Sequence, residues 1–227
     1  MAVDDSYSKS LLHFDGTDAS TTFTDESGKT WTAAGNAQID TAQSKFGGAS
    51  GLFDGTGDYI DTPDSADFDV GSGDFTIDFW VRRAGTTDEF ILGQCDASAT
   101  TSTRSWYVDF VSNAPRSVVF TGTTAKVATS STTISDTNWH HLAMVRNGNT
   151  LYIYVDGTNR GTVDVTGVTV NNSANKPAIG RFGESANYFN GHIDEFRFSK
   201  GIARWTANFT PPTSAYTPTS SNFFYFF

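Results

Sequence analysis

Apolar and polar residues alternate along most of this chain, and that two-residue period makes the β-strand its building unit. In "DFTIDFWVRR", Phe75, Ile77, Phe79 and Val81 point one way while Asp74, Thr76, Asp78 and Trp80 point the other. "WHHLAMVRNGNTLYIYVDG" reads as two strands joined at "RNGNT", with Asn147-Gly148 supplying the positive φ angles of a tight hairpin turn. Further strands are expected at "SLLHFDG", "SGLFDG", "DYIDT", "EFILG", "SWYVDFV", "RSVVFTG", "KVATS", "RGTVDV", "KPAIGRF" and "NGHIDEFRFS". About a dozen short strands at intervals of roughly 8–15 residues predict two packed sheets. Only "SKGIARW" reads as a helical turn, and "TPPTSAYTPTS" reads as a linker.

At 227 residues the chain is long enough for one large β-domain with a full core, or for two small ones. Charged residues make up only 18%, and the formal charge of −10 repels phosphate backbones, which argues against nucleic-acid binding. Cys95 is the single cysteine, so no internal disulfide holds the fold. No apolar run approaches the roughly 20 residues that cross a bilayer. The start, "MAVDDSYSKS", lacks the basic and apolar regions of a secretory signal. The chain is therefore expected to act where it is made, or to leave by lysis or within a larger particle.

Motifs for chemistry are scarce. The E-x-D-x-E triplet that places alternate carboxylates on one strand face is missing. Asp74 and Asp78 share a face but stand roughly 13 Å apart along a strand, well beyond the ~5–5.5 Å of a retaining glycosidase pair. Asp194 and Glu195 are adjacent and are expected on opposite faces. There is no G-x-S-x-G elbow, Walker A sequence, dinucleotide fingerprint, H-x-x-x-H or C-x-x-C. His13, His140, His141 and His192 read as packed or solvated structural residues. These absences predict a protein without enzymatic activity.

Sugar binding needs an accessible aromatic face beside planar polar groups. Arg104 with Trp106 and Tyr107, and Asn187 with Tyr188, supply that combination near strand ends, although core packing is the alternative use of such rings.

Four blocks carry a family resemblance: "LLHFDG", "FDGTGDYIDTPDSADFDVGSGDFTIDFWVR", "WHHLAMVRNGNTLYIYVDG" and "AIGRFGESANYFNGHIDEFRFSKGIARWTANFTPP". Over about residues 10–213 the chain resembles laminin-G-like (LamG) domains of the concanavalin A-like jelly-roll superfamily. The block ending in "DEFRFSKGIARWTANFTPP" is most similar to domains in tail and other virion proteins of bacterial viruses. The resemblance implies an all-β jelly-roll sandwich of two curved antiparallel sheets. Residues 1–9 would form an N-terminal arm and 214–227 a linker with an aromatic tail.

The resemblance also implies one structural calcium ion, and it directs attention to Asp15 in "HFDG", Asp25 in "TDESGK" and Asp194 in "HIDEF". First and last strands are commonly neighbours in such sandwiches, which would bring "HFDG" and "HIDEF" together. The alternative is that these are turn and edge carboxylates satisfied by backbone N–H groups.

The closing run of Phe223, Phe224, Tyr225, Phe226 and Phe227 does not alternate, so both of its faces need cover. It reads as a subunit contact made by strand addition, or as a tail docked on its own sandwich. Together these readings predict a non-enzymatic structural or adhesion protein at the surface of a virion, in capsid decoration or in a tail or fibre. It would form homo-oligomers, contact other virion subunits and bind a host-surface glycan. The alternative is a calcium-dependent carbohydrate-binding module of a cell-surface protein.

Overall fold

The computed structural model describes residues 6–95, 103–183 and 187–217. In chain order the strands are β1 (Ser8–Leu12), β2 (Thr22–Thr24), β3 (Thr30–Ala34), β4 (Gln38–Asp40), β5 (Ser50–Asp54), β6 (Tyr59–Asp61), β7 (Phe75–Arg83) and β8 (Glu89–Gln94). They continue with β9 (Trp106–Val111), β10 (Ala114–Thr121), β11 (Thr124–Thr129), β12 (His140–Asn147), β13 (Thr150–Val155), β14 (Thr158–Asp164), β15 (Ala178–Ile179) and β16 (Asn190–Lys200). Every expected strand forms. The sequence reading missed β2, β3 and β4, which are short, β2 and β3 being rich in threonine.

Two antiparallel sheets result. Sheet A runs β14-β13-β12-β7-β16-β5-β4, with β1 beside the C-terminal half of β16, and sheet B runs β11-β10-β9-β8-β15-β6-β3-β2. First and last strands are thus neighbours, Leu12 opposite Phe196 and Ser8 opposite Ser199. The layers enclose one core in which the inward row of β7 (Phe75, Ile77, Phe79, Val81) meets Val108 and Phe110 of β9 among its buried neighbours. The β12–β13 turn is centred one residue later than the sequence suggests. Asn147 pairs with Thr150, and Gly148, at φ 55°, takes the first turn position, the pattern of a II′ hairpin.

The outward row of β7 is buried too. Thr76 and Asp78 are fully covered and Trp80 nearly so. The cover over Thr76 and Asp78 is the strap, residues 201–217, which crosses the outer face of sheet A. "SKGIARW" is no helical turn: β16 runs on to Lys200, and Gly201, at φ 87°, turns the chain onto the sheet. Thr76 Oγ1 donates to the Ile202 carbonyl at 3.0 Å and accepts from the Arg204 amide at 3.0 Å. Trp205 and Phe209 stack 4.0 Å apart, and both meet the ring of His141 edge-on.

Beneath the strap lies a charged pair. Arg197 donates twice to Asp78, at 3.1 and 3.0 Å. Burial alone would raise the Asp78 pKa. The charge of Arg197, with His141, overcomes this and holds the carboxyl well below the usual range. The Tyr216 hydroxyl also donates to Asp78, and the Tyr216 amide donates to Glu195 Oε2 at 2.7 Å. The segment expected as a linker is therefore tied to the sheet. Tyr216→Phe removes a hydrogen bond to a buried charge and is expected to cost about 1–3 kcal/mol, read as a lowered urea midpoint at unchanged slope. An unchanged midpoint would show that this anchor contributes nothing.

Candidate functional site

One irregularity in β16 decides what sheet A presents. Asp194 pairs with Trp80 but Arg197 pairs with Asp78, so β16 carries one residue more than β7 across this span. The extra residue is Glu195, at φ 51°, and such a bulge re-aims the side chains around it. Asp194 and Glu195, expected on opposite faces, both turn outward. Glu195 Oε1 lies 2.8 Å from His13 Nδ1, a bond that raises the His13 pKa.

Asp194 Oδ2 accepts from the amides of Lys45 at 2.7 Å and Phe46 at 3.0 Å, while its buried Oδ1 has no partner among the described residues. Burial pushes its carboxyl up to about 7, with the Glu195 charge adding to the effect. Asp15 comes to the same loop, since a Cβ on Gly47 would lie 1.9 Å from Asp15 Oδ1. Asp25 sits elsewhere. Its carboxylate accepts from Ser10 Oγ (2.5 Å), Ser27 N (2.7 Å), Trp31 Nε1 (2.9 Å) and Leu11 N (3.2 Å). Two of the three expected calcium ligands thus share a loop, and the third is occupied in fixing β1 to the β2–β3 hairpin. Among the described residues no three side chains of His, Cys, Asp or Glu converge as a metal group.

The four histidines each meet a carboxylate: His13 with Glu195, His140 with Asp136 and Asp156, His141 with Asp78, and His192 with Asp40.

Sheet B carries a different outer face. Tyr107 points outward from β9 against Phe90, Phe182 and Phe120, at ring-centroid distances of 5.0, 5.5 and 5.9 Å. Gly93 makes room for it, because a Cβ there would lie 2.5 Å from Tyr107 Cβ. Phe182 stacks on the half-buried Phe90 at 3.9 Å, and the Arg104 guanidinium lies 4.9 Å from the Phe182 ring centre. The Phe90 amide donates to the Asn187 carbonyl at 3.4 Å, with Asn187 exposed and Tyr188 half-buried. Further along the sheet, Arg181 lies 3.6 Å from the Tyr59 ring centre. Burial and the Asp109 charge push the Tyr107 hydroxyl up to about 12, so it stays a donor. Asp109 itself is held by Arg116 at 2.9 and 2.5 Å.

Arg104, Tyr107 and Asn187 therefore meet around one set of rings, with Tyr188 adjoining in sequence. Trp106 does not join them. It is 1% exposed, packs on Phe198 and donates to the Phe68 carbonyl at 3.3 Å. Adjacent strand residues face opposite ways, so only one of Trp106 and Tyr107 can face out. The sequence reading missed Phe90, Phe182, Arg181 and Tyr59. The signal of the three rings was present as one ring on the outward parity of each of "EFILG", "AIGRF" and "DYIDT".

A family model described as the concanavalin A-like lectin/glucanases superfamily matches residues 54–204. This chain belongs to that superfamily. Among solved structures it is similar to the binding domain of Paraclostridial Mosquitocidal Protein 1 (TM-score 0.67, 15% identity, 86% of this chain and 49% of that one). It is also similar to the binding domain of Botulinum Neurotoxin DC, solved in complex with SialylT (TM-score 0.62, 14% identity, 87% and 49%). A third match is domain 4 of AbnA, an extracellular arabinanase from Geobacillus stearothermophilus, in complex with arabinotriose (TM-score 0.57, 19% identity, 86% and 93%). The chain spans about half the length of the toxin domains it matches. No curated protein matches its sequence.

The Asp194 carboxyl sets a pH dependence for the metal-free protein. Between the ordinary carboxylate pKa and about 7 the folded chain keeps a proton that the unfolded chain has lost. Stability contributed by Asp194 is therefore full below about pH 4 and falls as pH rises to about 7. Relative to Asp194→Asn, the wild type in chelator is expected to lose roughly 4 kcal/mol over that range, measured by urea unfolding. Parallel profiles for the two proteins would contradict this.

Proposed function

We propose that this chain is a non-catalytic glycan-binding domain whose ligand lies on the outer face of sheet B, at Phe90, Arg104, Tyr107, Asn187 and Tyr188. The observation that carries this reading is the set of rings and guanidiniums gathered there, with Phe90 and Tyr188 half-buried beside the exposed Asn187. Rings stack on the C–H faces of sugars, and planar polar groups pair with their hydroxyls. Matches to toxin binding domains and to an arabinanase domain holding arabinotriose support the same use of the fold.

The absence of catalysis is supported by how the outer carboxylates of sheet A are spent. Asp78 is clamped by Arg197 and Tyr216, Asp74 accepts from the Gly148 amide, and Asp194 accepts from two loop amides.

In this reading the domain belongs to a virion, as a decoration, tail or fibre component that forms homo-oligomers. The aromatic run at Phe223, Phe224, Tyr225, Phe226 and Phe227 would make the subunit contact. Those five residues lie outside the described part of the chain. The related reading, a calcium-dependent carbohydrate-binding module, is favoured by the unpartnered, buried Asp194 Oδ1. Asp194 and Asp15 would hold the ion, with main-chain and water oxygens completing the six to eight that calcium takes. Bound there, calcium would supply the charge that the buried carboxylate lacks.

Two measurements test these readings. A host-surface glycan array is expected to show saturable binding that Phe90→Ala together with Tyr188→Ala weakens at least tenfold, about 1.4 kcal/mol. Binding that survives both changes would move the site elsewhere. Calorimetric titration with calcium is expected to give one site that Asp194→Asn abolishes. Retention of that site in the variant would exclude Asp194 as a ligand.

A further inference from the structure

We infer that Arg181, laid on Tyr59 at the β6 side of this same face, is a subsite for the carboxylate of an acidic sugar. The inference rests on the glycan-binding reading above and names the class of glycan. A guanidinium has five N–H donors. Among the described residues, the hydrogen bond that Arg181 makes is a long one, 3.4 Å from Nη2 to Asp61 Oδ2, and its Nε is buried without a partner. Other buried arginines of the molecule are far better supplied. Arg83 donates to Glu89, Asn113 and the carbonyls of Thr87 and Ile134, and Arg146 to three carbonyls.

The Arg181 side chain is only 16% exposed, so water does little to compensate it, and a desolvated cation needs an anion. Asp61 cannot serve fully, because it also takes the Lys176 ammonium at 3.0 Å. Among the described residues one carboxylate therefore faces two cations, a local excess of one positive charge on a chain of net charge −10. The Tyr59 ring, 3.6 Å away, fixes the plane of the guanidinium, and a fixed fork suits bidentate pairing with a carboxylate.

The neighbourhood supplies the rest of the ligand's chemistry. Arg181 is followed by Phe182, which is stacked on Phe90. A ligand with an anionic group on one side and an apolar C–H face on the other would span the two. A uronic or a sialic acid has that form, and both offer the same carboxylate.

The test is a titration of the whole 227-residue chain, followed by NMR, with sodium glucuronate, its neutral methyl ester, N-acetylneuraminate and inorganic phosphate. At least one of the two sugar acids is expected to shift the Arg181 side-chain and Phe182 amide resonances and to bind about tenfold more tightly than the ester. Arg181→Gln is expected to bring that acid down to the level of the ester, with Arg181→Lys between. Which acid binds more tightly distinguishes the two sources.

Equal binding of glucuronate and ester, with N-acetylneuraminate no tighter, would overturn the carboxylate subsite while leaving the glycan-binding reading in place. Phosphate binding as tightly as the sugar acids would also overturn it, as a bare anion site. No binding of any sugar here or on the array would remove both readings. Should Arg181→Gln fail to fold, the comparison of acids with ester on the wild type decides the question.

Discussion

A single extra residue in β16 governs how this sandwich uses its surfaces. Without the bulge at Glu195, Asp194 and Arg197 would stand on opposite faces of sheet A, and Arg197 would not meet Asp78. With it, Arg197 reaches Asp78 and an outward polar row is created that water must either solvate or lose to a cover. The strap provides that cover. The cost of burying the Asp78 charge is offset only because Arg197, His141 and Tyr216 surround it. The strap is bound in turn because its own groups are consumed in that pairing. Bulge, ion pair and strap depend on one another.

This arrangement divides the labour between the two outer faces. Sheet A is sealed over Thr76, Asp78 and His141 by Trp205, Phe209 and Tyr216, so its outward residues are spent on stability. At its rim, where Asp194 and Asp15 meet the loop at Lys45, Phe46 and Gly47, a buried carboxylate oxygen has no partner among the described residues. On sheet B, Phe90, Arg104 and Arg181 stay half-buried around the buried Tyr107 and Phe182. Under the proposed function, the ligand-binding role falls to sheet B.

Most of the fold was legible because period-two alternation is a strong signal wherever a strand has one buried face. The inward row of β7 and the strand pairs flanking Gly148 follow from it directly. The segment holding β2, β3 and β4 was not legible, since strands of three to five residues with a single buried side chain carry almost no pattern. Parity arguments failed at Asp194 and Glu195 because a bulge inserts a residue without changing the composition. At "TPPTSAYTPTS" the prolines and serines signal irregular backbone correctly, but nothing local marks Tyr216 as the anchor of a distant aspartate. For the candidate site, Arg104, Tyr107 and Asn187 were found from residue type near strand ends. Trp106 was misplaced because residue type alone does not say which of two adjacent rings faces out. Phe90, Phe182 and Arg181 become visible as a group only once β8, β9 and β15 lie side by side.

The dependence of sheet A on its strap can be measured through native-state hydrogen exchange. The amides of Arg204, Phe209 and Tyr216 are hydrogen-bonded to Thr76, Gly157 and Glu195. They are expected to exchange only through global unfolding, with the same free energy as β7 amides. Exchange of these three amides at the rate of exposed loops, while β7 stays protected, would contradict the account: the strap would then be an independent appendage, and the outer face of sheet A would be open.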